Sequence, residues 1–191
     1  PTEVGRIITL GTGTDGLNFS SATLDKVSTT GTLQIGANSG NSVGSITIDT
    51  GITAASATSL SLFTNGSINT GVHELSSAAL TLNAGTGINA ATNVVTLSAF
   101  NGVGNININE TNGVALGTLS TTTSGNITVV AGGPITTSGT TSTAGAGNID
   151  VRTAAGNAIT IDNAVTANGA GSVVLNSAGI LTVNQAISSS T

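Results

Sequence analysis

Few side chains in this 191-residue sequence are able to do acid–base or metal chemistry. The carboxylates are Glu3, Asp15, Asp25, Asp49, Glu74, Glu110, Asp150 and Asp162, and the cations are Arg6, Lys26 and Arg152. His73 is the single imidazole, and there is no Cys or Tyr. Polysaccharide cleavage needs carboxylates that converge on one bond or hold calcium, with basic groups near the substrate. These acids are scattered along the chain. Asp49, Asp150 and Asp162 follow or interleave apolar residues, which aims them at solvent. Asp150 and Arg152 stand two apart on one outward face, with Asp162 further on. A substrate-binding cluster there is weighed against an exposed ion pair of little energetic consequence.

His73 and Glu74 form the only His–acid neighbours. A metal site needs three or four converging ligands, so His73 reads as an exposed loop residue. Gly11-Thr12-Gly13-Thr14-Asp15-Gly16 is the nearest approach to a calcium-binding nonapeptide or a phosphate-cradling loop. It occurs once, no helix follows it and no Lys is placed for it. No catalytic, cofactor-binding or metal-binding residue is assigned, and the chain is expected not to be an enzyme. Phe63 and Phe100 are expected to fill corners or to seed a surface contact. The runs Thr121-Thr122-Thr123 and Thr136-Thr137-Ser138-Gly139-Thr140-Thr141 invite an ice-binding reading. That function needs the same outward Thr in every repeat, whereas outward positions here vary among Thr, Asn, Asp, Ser and Arg.

The elements that must position these groups are short strands. Alternating triplets recur: Ile46-Thr47-Ile48, Leu60-Ser61-Leu62, Leu80-Thr81-Leu82, Val95-Thr96-Leu97, Ile106-Asn107-Ile108, Ile127-Thr128-Val129, Ile149-Asp150-Val151 and Val173-Val174-Leu175. Apolar residues two apart share one face of a strand, and the residue between them points the other way. From Ile106 onward the triplets return at regular distances, and Gly- and Asn-rich corners separate them. Each later repeat also carries a second strand and a weaker third, as in Ile159-Thr160-Ile161 and Val165-Thr166-Ala167. One such repeat cannot bury its own apolar face, but stacked repeats can.

The expectation is an all-β, single-domain parallel β-helix (β-solenoid) over residues 1–191. About eight coils of roughly 20–25 residues would make a rod on the order of 40 Å long. Coils in 1–103 look irregular and those in 104–191 more regular. The Ile and Val of Gly125-Asn126-Ile127-Thr128-Val129 and Gly147-Asn148-Ile149-Asp150-Val151 should stack in the core, with Gly and Asn stacked at one corner. Amide ladders between the asparagines are expected there. No stretch carries a 3.6-residue apolar period with caps, so no helix is expected, at the ends or elsewhere.

Composition excludes several classes. Charged residues make up 6% and aromatics 2%, while hydrophobic residues reach 38% and the net charge is −5. Disordered chains combine low hydrophobicity with high net charge, and this chain does the reverse. Three cations cannot neutralise a phosphate backbone, which argues against nucleic acid. No apolar run approaches the about 20 residues of a membrane-spanning helix.

The phrases GNININETNGVAL, GNITVVAGGPITT, GNIDVRTAAGNAITI and SVVLNSAGILTV, between Gly104 and Thr191, share Gly-Asn-Ile-x-Val, a Gly turn and a second short strand. In this they resemble the shaft repeats of filamentous-haemagglutinin-like secreted bacterial exoproteins. The resemblance implies a right-handed parallel β-helix in an extracellular or cell-surface adhesin or filament. The Asn-Pro-Asn motif of that family's secretion domain is absent, which limits the likeness to the shaft. The expected partners are the chain itself, paired head to tail at its strand edges, or flanking repeats of a longer chain, with host or environmental glycans as ligands. An ice-binding or carbohydrate-binding solenoid is the alternative.

Overall fold

The computed structural model describes residues 5–13, 16–37, 44–55 and 57–189. Among them lie nineteen strands and one single-turn helix. In chain order these are β1 (Ile8–Leu10), β2 (Leu17–Phe19), α1 (Ser21–Leu24), β3 (Thr29–Gly36), β4 (Ile46–Ile48), β5 (Ile52–Thr53) and β6 (Ala57–Phe63). The long strands β7 (Ile68–Ala84), β8 (Ile88–Val103) and β10 (Val114–Ser124) bend round corners, with β9 (Ile106–Glu110) between the last two. There follow β11 (Ile127–Ala131), β12 (Ile135–Thr137), β13 (Thr141–Thr143), β14 (Ile149–Thr153), β15 (Ile159–Ile161), β16 (Val165–Ala167), β17 (Val173–Asn176), β18 (Leu181–Val183) and β19 (Ile187–Ser189). Every strand pairing is parallel, and the strands stack as a β-solenoid of about seven turns.

Three inward columns run along the axis. The first holds Leu17, Ile8, Ile46, Ile68, Ile88, Ile106, Ile127, Ile149 and Val173, one per rung. A second holds Leu33, Leu60, Leu80, Leu97, Leu116 and Thr137. The third runs through Ile35, Leu62, Leu82, Ala99, Leu119, Thr141, Val165 and Ile187. Between the two ends these side chains are almost entirely buried, so the core is one continuous and mainly apolar filling. Strand alternation explains it: the inward residues are mostly Ile, Leu, Val or Ala, with a few buried Thr such as Thr137 and Thr141, and the residues between them are mostly Thr, Asn or Ser.

The registers correct the phasing of the first half. Ile46, Ile68, Ile88 and Ile106 belong to one column at intervals of 22, 20 and 18 residues. Leu60, Leu80 and Leu97 belong to another. Mixing the two columns is what makes that half look uneven. Val95 also departs from expectation. It is 68% exposed while Val94 is 4% exposed, because Thr92 and Val94 alternate inward and the corner at Val95 and Thr96 leaves both of those outside before Leu97 turns in.

The N-terminal end holds the unexpected elements. From Ile8 to Ile46 the chain spends 38 residues on one turn, which accounts for seven turns where eight were expected. The excess doubles back. β2 adds a rung on the side of β1 away from β4, where Leu17 N–H donates to Ile7 O at 3.1 Å. The same bond links every successive rung of the first column, as in Ile8 N–H to Ser45 O at 2.9 Å. The single-turn helix α1 then follows. The Ser20 side chain caps it by accepting from Thr23 N–H at 3.2 Å, and Leu24 is buried. One turn is too short to show a helical period, so the sequence pattern could not reveal it.

Gly104, Gly125 and Gly147 stack at the corner that opens three successive coils. A Cβ on Gly125 (φ +125) would lie 1.8 Å from Gly104 O, and one on Gly147 would lie 2.1 Å from Gly125 O. Backbone packs on backbone there, and only glycine fits. The neighbouring asparagines form a ladder, but not through paired amides. Asn105 Oδ1 accepts from Asn126 N–H at 2.9 Å, Asn126 Oδ1 from Asn148 N–H at 2.8 Å, and Asn148 Oδ1 from Ser172 N–H at 2.8 Å. Each side chain thus ties down the next coil's corner N–H. Amide-to-amide rungs occur elsewhere, between Asn89 and Asn69 and between Asn112 and Asn93.

Candidate functional site

The scattered acids do not all remain scattered. Ile106, Ile108 and Glu110 alternate along β9, so Glu110 points inward in a column with Ile52, Leu75, Thr92 and Ala131. Its residue is 1% exposed. The carboxylate accepts from Thr92 Oγ1 at 2.8 Å, from Val94 N–H at 3.2 Å and from Asn112 N–H at 3.1 Å. It therefore binds together the corners of two successive coils. Burial pushes the Glu110 carboxyl above its ordinary value, and the charge of Glu74 adds to this. The three hydrogen bonds pull the other way without reversing it.

Glu74 sits two rungs away, in the column Glu74, Ala91, Asn109. Thr111 Oγ1 donates to its carboxylate. Beside it the chain bulges outward, because residues 70–73 face a single residue, Ala90, on the next rung. Gly71 takes φ +57 in this bulge and Val72 is 90% exposed. His73 lies in the same bulge, within β7, and is half-buried rather than free in a loop. On the outer side of the corner is a groove of about 460 Å³ lined by Ser76, Asn93, Val94 and Asn112 among others. Among the described residues, no group of three or more His, Asp and Glu is placed to hold a metal ion. With all its bonds made inside the protein, the Glu110 carboxylate acts as a corner tie.

The remaining acids stay apart. Asp150 and Arg152 form a two-point ion pair at 2.7 and 2.5 Å on an outward face. Asp162 is not with them and accepts from Asn184 Nδ2 at 2.7 Å. Asp49 accepts from Thr12 N–H at 2.8 Å and fastens the residue 11–13 loop to the next coil. Asp25 closes α1 as its C-cap. Glu3 and Asp15, with Thr14 of the Gly11–Gly16 phrase, lie outside the described residues. The Thr runs alternate in and out: Thr121, Thr137 and Thr141 are buried, and Thr122, Thr136 and Thr140 are exposed.

Phe63 and Phe100 are half-buried. They stand outward in one column, Gly36, Phe63, Asn83, Phe100, Ser120, separated by a single rung. A parallel outward column holds Gln34, Ser61, Thr81 and Ser98.

The two ends differ. In β17, β18 and β19 the inward side chains have no further rung stacked on them among the described residues. Leu181 is 44% exposed, Val183 48% and Ile187 39%, although each stacks on a fully buried partner or its neighbour in Ile159, Ile161 and Val165. The N–H groups of Val173, Leu181 and Ile187 occupy the ladder position from which Ile149, Ile159 and Val165 donate to the following coil. At the opposite end, β2 and α1 lie over the first coil.

Comparison with models of protein families, with curated proteins and with solved structures gives no match in any of the three. Function must therefore be argued from the geometry.

Proposed function

We propose that this chain is a structural extracellular protein, a β-solenoid that builds a filament or adhesin shaft by axial stacking of its coils. The supporting observation is the edge formed by β17, β18 and β19. It carries three N–H groups directed along the axis in ladder phase and a row of apolar side chains, Leu181, Val183 and Ile187, each about 40–50% exposed. A parallel strand added in register would satisfy both at once, which is β-augmentation. We assign that strand to the N-terminal end of a second copy, giving a head-to-tail polymer. β2 continues the same ladder phase and offers its own outer edge there. In a longer chain, flanking repeats would occupy the same position.

Two further features fit the reading. The Gly-Asn-Ile-x-Val repeats resemble those of filamentous-haemagglutinin-like exoproteins, whose shafts are secreted and displayed at the cell surface. With 6% charged residues, the exterior is rich in hydroxyls and amides, so its hydration responds little to salt.

Electron microscopy and sedimentation of the 191-residue chain over a range of concentrations test the joint. Unbranched filaments with an axial repeat on the order of 40 Å are expected, and Val183→Lys should disperse them into single folded rods. Dispersed rods of the unaltered chain at every concentration would overturn head-to-tail pairing.

A further inference from the structure

We propose that the outward column Phe63, Asn83, Phe100 is a binding face for an uncharged, extended, β-linked glycan whose chain runs along the solenoid axis. This inference is independent of axial stacking.

Four observations carry it. First, the two rings share one column two rungs apart, about 10 Å along the axis, which is the span of one disaccharide of an extended glycan. Two sugars separated by one would then meet the two rings. Pyranose rings present C–H faces to aromatic rings and equatorial hydroxyls to amides, and the column offers ring, amide, ring. Second, Asn65 and Asn83 line a shallow groove of about 380 Å³ beside Phe100, and neither side-chain amide has a hydrogen-bond partner among the described residues. Third, Asn101 next to Phe100 points inward behind the groove, and its Nδ2 donates to Val103 O at 2.9 Å and Gly104 O at 2.7 Å, which holds the backbone that carries the ring. Fourth, the column and the parallel one, Gln34, Ser61, Thr81, Ser98, contain no charged residue. A neutral glycan keeps all its hydration-independent contacts there, whereas a sulfated or uronic glycan finds no cation.

Titration calorimetry and chemical-shift perturbation with cellohexaose, maltohexaose and polygalacturonate test the proposal. The Val183→Lys chain is measured beside the unaltered one, so that failure of stacking and failure of glycan binding are read separately. Saturable binding of cellohexaose is expected, at least tenfold tighter than that of the coiled α-linked maltohexaose, with no preference for the anionic polymer. Phe100→Leu keeps an apolar side chain without a ring, and should weaken cellohexaose at least tenfold while leaving the unfolding midpoint unchanged. Phe63→Leu should weaken the hexasaccharide and leave cellobiose binding at the Phe100 groove unaltered. The proposal is overturned if none of the three probes binds, if maltohexaose or polygalacturonate is preferred, or if both leucine variants bind cellohexaose as the parent does.

Discussion

Replacing Glu110 tests how a charge can stand in an otherwise apolar column. In Glu110→Ala, the Val94 and Asn112 N–H groups and the Thr92 hydroxyl all lose their acceptor. A buried donor left without a partner costs about 1–3 kcal/mol. Water entering the vacated volume would recover part of that, so the expected loss is about 2–4 kcal/mol. Glu110→Gln keeps one acceptor oxygen and removes the desolvated charge, and should fall within about 1 kcal/mol of the parent at neutral pH. The pH dependence has a definite sign. The folded-state pKa lies above the ordinary 4.5, so the folded protein holds this proton more firmly than the unfolded chain. The penalty of the buried charge is complete above the raised value and disappears as pH falls towards 4.5. The parent should therefore gain stability relative to Glu110→Gln on acidification through that window. Denaturant unfolding at pH 4, 5, 6, 7 and 8 reads the difference, and hydrogen exchange at the Val94 and Asn112 amides locates it. If Glu110→Ala stays within about 0.5 kcal/mol of the parent, the corner-tie account fails. A parent that loses stability relative to Glu110→Gln as pH falls would refute the burial argument.

Gly125→Ala should cost about 1–3 kcal/mol from its backbone conformation alone, and more from the Cβ placed against Gly104 O. Gly156 has φ +81 with nothing within 4 Å of its Cβ position, so Gly156→Ala should show the conformational part only, and the difference between the two denaturation midpoints measures the contact. Asn126→Ala removes the acceptor for Asn148 N–H and should cost about 1 kcal/mol, whereas Asn126→Asp, which keeps an acceptor oxygen, should cost less; local exchange at the Asn148 amide reports both.

The sequence pattern revealed the solenoid because one residue type dominates each inward column. Ile106, Ile127 and Ile149 are visible at a glance, and their stacking follows from spacing alone. The earlier members of that column were hidden by their neighbours. Ile68-Asn69-Thr70 and Ile88-Asn89-Ala90 occupy the same rungs, but their second inward residue is Thr or Ala, so neither reads as an apolar triplet. Thr70 is nonetheless fully buried, and its hydroxyl accepts from Ala91 N–H at 2.8 Å. Buried polar residues that find their partners inside the solenoid mimic outward positions in a hydropathy pattern.

The surface features carried a signal that apolar triplets do not use. Alternation continued by one step from Ile106 and Ile108 places Glu110 inside. Phe63 and Phe100 each stand three residues after a Leu of the second column, Leu60 and Leu97, which places both outside and in one line. The proximity of Glu74 to Glu110 was not legible, because it depends on the bulge at residues 70–73, an insertion visible only once the register is known. β2 and α1 were equally hidden. A strand that doubles back beneath its own coil has the same local pattern as one that advances.

Rungs of a solenoid interact with their nearest neighbours along the axis, so stability is carried column by column. The inward columns set the fold and tolerate little. The outward columns face water and can change without disturbing a single core contact. Phe63, Asn83 and Phe100 lie in such a column, with both rings half-buried, and Thr or Asn would suit a wet sheet at these positions as well. Glu110 is the opposite case: a charged residue in an inward column, retained with a full set of internal donors. Each departs from the rule of its own column. The aromatic pair carries no structural duty that Leu could not perform, while the carboxylate carries one that Ala cannot. That contrast predicts which substitutions alter recognition and which alter stability, and it makes the two effects separable in the same chain.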